Sequence, residues 1–241
     1  MTSSRKATGL TAIATAIAFN IPFSILASTF SYPDILRRPA AEVLSLFSAG
    51  GPALVLTWYA FMLAALLLIP MSVALSISSE RLQSAPGRAI GAAISGSLAG
   101  ITQAIGLSRW IFVVPTLAVM QSSSDASAQQ AGQTTFTVLN QYGGVAIGEH
   151  LGQLLTALFV AQLSSIQWNE RKYLTALAGL FTTISITLGA GEGLTAALGQ
   201  SGDLFSKITV AGYLGLTAWL IMTGIGLLLP RKALDSAPPK F

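Results

Sequence analysis

Six apolar stretches, each long enough to cross a bilayer, occupy most of this chain: residues 7–30, 51–78, 89–120, 134–166, 174–191 and 204–229. A hydrocarbon core about 30 Å thick needs about 20 residues of α-helix to cross it. Inside lipid the backbone must satisfy its own polar groups, so only helices or closed barrels span. Strands of a barrel would alternate in and out with a period of two, and runs such as residues 60–69 do not alternate. The expected fold is therefore all-α, a polytopic six-transmembrane-helix bundle forming one domain over residues 1–241. Composition agrees, since only 9% of residues are charged against about 25% in soluble domains.

Basic residues predict the topology, because short cytoplasmic loops collect Lys and Arg. With six spans and both termini cytoplasmic, that side holds Arg5, Lys6, Arg81, Arg88, Arg171, Lys172, Arg231, Lys232 and Lys240, nine of the thirteen Lys and Arg. The other side keeps Arg37, Arg38 and Lys207, with Arg109 inside the third span. The basic pI of 9.6 is then a matter of topology, and no nucleic-acid partner is expected. Arg5 and Lys6 ahead of the first span resemble the start of a secretory signal, but the apolar run is long for one and five spans follow, so a retained helix is expected. The absence of cysteine excludes disulfides, thiolate metal sites, iron–sulfur clusters and a cysteine nucleophile.

Details of the spans carry further expectations. The third and fourth exceed the bilayer's need, so they tilt or their outer ends project as a hairpin. The linker between them, 121–133, is rich in Ser, Ala and Gln with one charge, Asp125, and reads as a flexible exposed loop. Val43, Leu44 and Phe47 at helical spacing suggest a short interfacial helix over 40–47. Trp58, Tyr59, Trp110, Tyr142, Trp168 and Tyr173 fall near span ends, where amphipathic rings favour the interface. Prolines at 33, 39, 52, 86 and 230 punctuate loops and helix ends. Gly144, Gly148 and Gly152, and Gly96 with Gly100, are spaced for close helix packing.

Ionisable residues at membrane depth point to function, because an unpaired charge there is costly. Arg109 and Glu149 lie at similar distances from the loop joining the third and fourth spans, which predicts an Arg109–Glu149 pair. A register clamp and a ligand-engaging site are both compatible with it. His150, the single histidine, sits about 100° round the helix from Glu149, and either relays protons or bonds to a neighbouring helix. Asn20, Gln103, Asn140, Tyr142 and Glu192 fall toward the same side and complete a candidate ligand-binding set with Arg109, Glu149 and His150. Glu192 lies in Gly189–Gly193, a stretch suited to a helix break. Arg37 and Arg38 would meet an anionic ligand or lipid headgroup, or pair locally with Asp34 and Glu42.

One histidine excludes a bis-histidine haem within the chain and leaves a one-histidine haem open, with no metal site expected. No Walker loop, nucleophile elbow or H-E-x-x-H is present. Residues 32–37 (Tyr-Pro-Asp-Ile-Leu-Arg), 57–61 (Thr-Trp-Tyr-Ala-Phe), 109–115 (Arg-Trp-Ile-Phe-Val-Val-Pro) and 148–152 (Gly-Glu-His-Leu-Gly) together resemble a group of uncharacterised bacterial six-span membrane proteins classed under domains of unknown function. That resemblance implies a bacterial inner membrane and carries no activity. The leading expectation is a bundle with a polar pocket in its outer half that binds or transports a small ligand. The alternatives are an assembly subunit of a membrane complex, with a protein partner or a second copy on its glycine faces, and an enzyme using Glu149 and His150 as base and acid.

Overall fold

The computed structural model describes residues 2–200 and 202–229. Pro230, Arg231, Lys232 and Lys240, assigned above to the sixth helix end and the C-terminal tail, lie outside the described residues. The elements are α1 (Thr2–Phe30), a 3-10 turn (Asp34–Arg37), α2 (Ala40–Ser76), α3 (Ser79–Ser84), α4 (Pro86–Phe112), α5 (Val114–Gln121), α6 (Ala126–Leu139), a π-helix (Asn140–Leu151), α7 (Gly152–Asn169), α8 (Tyr173–Gly189), α9 (Gly191–Ala197) and α10 (Asp203–Leu228). Among the described residues, six helical stretches are long and apolar enough to cross a membrane, and no strand is present. The chain is an all-α multi-pass membrane protein.

Each spanning helix packs on the one before and the one after: α1 on α2, α2 on α4, α4 on α7, α7 on α8, α8 on α10, and α10 back on α1. Six rods closed into a ring leave space along the axis. One end of the ring carries the turn after α1, the α5–α6 hairpin and α9; the other carries α3 and the α7–α8 loop. They are called here the hairpin end and the basic end.

Two apolar cores form, one toward each end. Toward the basic end the core mixes small and large side chains, Ala12, Ala89, Ala92 and Ala157 with Met71, Leu163 and Trp219. Small residues let backbones approach where lipid supplies no hydrophobic drive between helices. Toward the hairpin end the core is aromatic, with Phe30, Phe47, Trp58, Trp110 and Phe136. Trp58 and Trp110 stack at 4.7 Å with their planes 7° apart, and Phe30 sets its edge against both, at 6.1 and 5.5 Å. The rings of these two tryptophans turn into the core: both are fully buried, while Trp168 and Tyr142 are 50% and 68% exposed. An indole favours an interface because it is large and apolar with one donor, and the same properties suit a packed core.

The segment before the second span is helical, as expected, and its apolar face is packed into the bundle. Gly51 takes φ +59° and ψ −158°, a backbone conformation open to glycine, and Pro52 follows it. The kink turns residues 40–50 over the bundle, and Val43, Leu44 and Phe47 are buried in the aromatic core. The linker expected to be a flexible loop is mostly α6, which begins at Ala126. Asp125 caps it, its carboxylate accepting from the Ser127 amide at 2.8 Å. Those side-chain and backbone hydrogen bonds from Ser127 hold Asp125 below the usual carboxylate range.

At the basic end α3 is clipped to the α7–α8 loop. Arg81 grips Glu170 with two parallel bonds, Nε to Oε1 at 2.6 Å and Nη2 to Oε2 at 3.0 Å, and Lys172 donates to the same carboxylate at 2.5 Å. Burial acts to raise the Glu170 pKa, but Arg81 and Lys172 outweigh it and hold the carboxyl below its ordinary value. Nη1 of Arg81 donates to the Leu75 carbonyl, so the guanidinium is engaged on every nitrogen.

Candidate functional site

The space inside the ring is a cavity of about 360 Å³, lined from α1, the turn after it, α2, α4, the π-helix, α7, α9 and α10. Its floor and walls are largely apolar, with Phe19, Phe23, Phe61 and Leu68 among them. Its charged groups are Asp34, Arg37, Arg109, Glu149, Glu192 and Asp203, and its neutral polar groups include Asn20, Gln103, Gln153 and Tyr213.

Glycines decide how α4 meets the π-helix. A Cβ on Gly106 would stand 2.6 Å from the Gly148 Cα, so bare backbone meets bare backbone there. A Cβ on Gly144 would stand 2.5 Å from Nη2 of Arg109, so the guanidinium lies directly on the π-helix backbone. Gly152 meets Gln103 in the same way, and Gly96 and Gly100 take up α2 at Ser72 and the Ala65 carbonyl. The glycine faces offered above as partner seams are thus used inside the chain.

Arg109 is 8% exposed. Its Nη1 donates to the Gly106 carbonyl, its Nη2 to Oδ1 of Asn140 at 3.0 Å, and its Cζ lies 5.1 Å from the Trp110 ring centre. Nε has no partner. None of the ion pairs among the described residues includes Arg109. The expected Arg109–Glu149 pair is not formed. Glu149 instead takes Arg37, Nη2 to Oε2 at 2.6 Å, and the same guanidinium reaches Glu192, Nε to Oε1 at 2.9 Å. Equal depth on two helices allowed the first pairing, but the 3-10 turn after α1 folds Arg37 over the hairpin end and gives Glu149 a closer cation.

The Arg37 bridge joins three elements, the turn after α1, the π-helix and α9. Burial acts to lower the Arg37 pKa, while Glu149 and then Glu192 outweigh it and leave it raised. Beneath the bridge, burial first and the Glu149 charge second push the Tyr32 phenol well above its ordinary pKa. Tyr32 therefore stays a neutral hydroxyl. Arg38 pairs locally with Glu42 at 2.8 Å, the local alternative expected for it, whereas Arg37 does not pair with Asp34.

The other predicted residues divide. Asn20 and Gln103 line the cavity but spend their amide donors on neighbours, Asn20 on Thr217 Oγ1 at 2.9 Å and Gln103 on Thr156 Oγ1 at 3.0 Å. Glu192 lines it through the Arg37 bridge. Asn140 stands behind Arg109, accepting from it and donating to the Leu36 carbonyl at 3.3 Å. Tyr142 faces outward and His150 is not among the lining residues; both expectations are corrected. His150 donates through Nδ1 to the Ala190 carbonyl at 2.9 Å, where α8 gives way to α9. The break expected at 189–193 is thus a turn at Ala190 tied down by His150. The wide turns of the π-helix explain the miss, since 3.6-residue spacing does not predict which faces residues 140–151 present.

Sequence reasoning missed Trp58, Trp110 and Tyr213 as lining residues and Arg37 as the partner of Glu149. The available signal was Gly106, three residues before Arg109 and on its face, opposite two glycines on the next helix. No curated protein and no solved structure matches the chain. Residues 7–224 match the family described as Domain of unknown function (DUF4386), and the chain belongs to that family.

Proposed function

We propose that the central cavity binds or transports a small ligand, with Arg109 holding its anionic or carbonyl group. A single observation carries this reading. Arg109 is as buried as Arg81, yet Arg81 has a carboxylate in a two-point grip and Arg109 has only a carbonyl and an amide oxygen. A buried charge without a counter-ion is strongly disfavoured, and a ligand oxyanion in the adjoining cavity would supply what the chain does not. Glu149 and Glu192 set the charge at the mouth through Arg37.

The hairpin end is read as the outer face of a bacterial inner membrane, with the termini cytoplasmic. The opposite end carries Arg5, Lys6, Arg81, Arg88, Arg171 and Lys172, against Arg37, Arg38 and Lys207 at the hairpin end, the asymmetry that orients helices during insertion.

Arg109→Gln tests the reading. Native mass spectrometry of the wild-type protein from mild detergent should show a small-molecule adduct that the variant lacks, while the variant stays folded by size-exclusion chromatography. Loss of folding in Arg109→Gln comparable to that in Glu170→Gln would make Arg109 a structural clamp and overturn the reading.

A further inference from the structure

The cavity is long and graded. On α10 its lining runs from Asp203 to Leu220, about 26 Å at about 1.5 Å per residue. At the hairpin end it meets Arg37, Glu149 and Glu192; at the far end it meets Ala16, Leu68, Leu216 and Leu220. Of the three amides along the way, Asn20 and Gln103 already donate to threonines, and Gln153 is the third. With Ala16, Leu68, Leu216 and Leu220 around it, the far end solicits hydrocarbon rather than a polar group.

Between the two ends sit three buried N–H groups with no acceptor, Nε of Arg109 and the indole Nε1 of Trp58 and of Trp110. All three belong to residues that line the cavity, and the two indoles are stacked on each other. The two indoles are fully buried and Nε of Arg109 is closed off, so the accessible part of Arg109 is what meets a ligand; a guanidinium donates and never accepts, and the ligand must bring acceptor atoms. The positive charge selects an anionic oxygen, because the nearby carboxylates of Glu149 and Glu192 are held by Arg37.

We infer that the cavity takes a single-chain amphiphile, its anionic oxygen head at Arg109 and its hydrocarbon tail along Phe19, Leu68 and Leu220. This rests on the reading of the cavity as a binding chamber. A volume of about 360 Å³ is near the small end of ligand pockets and suits one chain rather than a two-chain lipid. A carboxylate and a phosphate monoester share the required head chemistry.

The test uses the full chain in nanodiscs of zwitterionic lipid, carrying Trp168→Phe. Trp168 is 50% exposed, whereas the other three tryptophans are fully buried, so this change removes the indole that lipid-dissolved probe would quench. 2-Bromododecanoate places its bromine beside the head and should quench the remaining fluorescence saturably. Dodecanoate or dodecyl phosphate should displace it, and the tighter of the two identifies the head. Dodecanol and dodecyltrimethylammonium should be weaker by about 10- to 100-fold, as should dodecanoate on Arg109→Gln. Referred to free aqueous concentration, affinity on the unaltered site should rise about fourfold per methylene from hexanoate to dodecanoate, a measurement that needs no site variant.

Hexanoate displacing the probe as well as dodecanoate would overturn the amphiphile and leave an anion-binding chamber standing. Dodecanol matching dodecanoate would overturn the anionic head. Equal displacement by a two-chain phosphatidate would overturn the single chain. Absence of saturable quenching would overturn this inference, and the chamber itself falls if the wild-type protein also lacks the adduct sought above or if Arg109→Gln loses its fold as Glu170→Gln does.

Discussion

Arg81 and Arg109 are buried to nearly the same degree, 9% and 8% exposed, at opposite ends of the bundle. At the basic end, Glu170 meets Arg81 in parallel geometry, Lys172 adds a second cation, and the Leu75 carbonyl takes the remaining nitrogen. That arrangement is closed: every strong donor has its acceptor, and the cluster ties one loop to another. At the hairpin end, Arg109 rests on Gly144, bonds to two neutral oxygens and leaves Nε unsatisfied beside a cavity. Burial alone does not separate a clamp from a site. The completeness of the partners does.

Breaking the clamp should have the largest effect. Glu170→Gln leaves Arg81 without its counter-ion, and removing one partner of a buried pair costs about 3–5 kcal/mol; partial exposure of the Glu170 side chain, 27%, places the expectation at the lower end. Unfolding in mixed micelles at neutral pH measures it. The pH dependence sharpens the assignment. Because the folded-state pKa of Glu170 is depressed, its contribution is full above the unfolded carboxyl value, about 4.3, and is lost as pH falls through the lower folded value. The gap between wild type and Glu170→Gln should therefore narrow below that point, and a constant gap down to pH 3 would refute the assignment.

The glycine contact under the site comes next. Gly148→Ala puts a methyl toward Gly106, where the two backbones already touch. Forcing extra volume into such a seam costs about 1–3 kcal/mol, and the α4 to π-helix separation should widen in a spin-label distance measurement. Arg109→Gln should alter ligand-free stability by less than about 1 kcal/mol, since it removes no ion pair and relieves an unpaired buried charge. An equal loss in Arg109→Gln and Glu170→Gln would erase the distinction between the two ends. The smallest effect is expected at Asp125→Ala, which removes the α6 cap: amide exchange should quicken in the first turn of α6 while global unfolding stays unchanged.

How far the site could be read in the sequence varies from residue to residue. Arg109, Glu149 and Glu192 could be singled out in the sequence because an ionisable group in or beside an apolar run is costly. The partner of Glu149 could not, because Arg37 lies 112 residues away on a turn whose fold-back no local pattern announces. Trp58 and Trp110 were placed at the membrane interface because position along a span reports depth and says nothing about which way a ring faces. His150 and Tyr142 were misassigned because residues 140–151 turn as a π-helix.

The sequence by itself determined that this is a membrane protein, that six helices cross, and which end collects the basic residues. Lipid imposes those properties through segment length, apolarity and loop charge, all of which are local. Tertiary structure alone decided that the six helices close into a ring around a cavity, that Arg37 rather than Arg109 answers Glu149, and that two tryptophans stack beside an unpaired guanidinium. Those outcomes depend on which faces meet, and helix faces are set by glycine contacts, a π-helical segment and a kink at Gly51 acting across the whole chain.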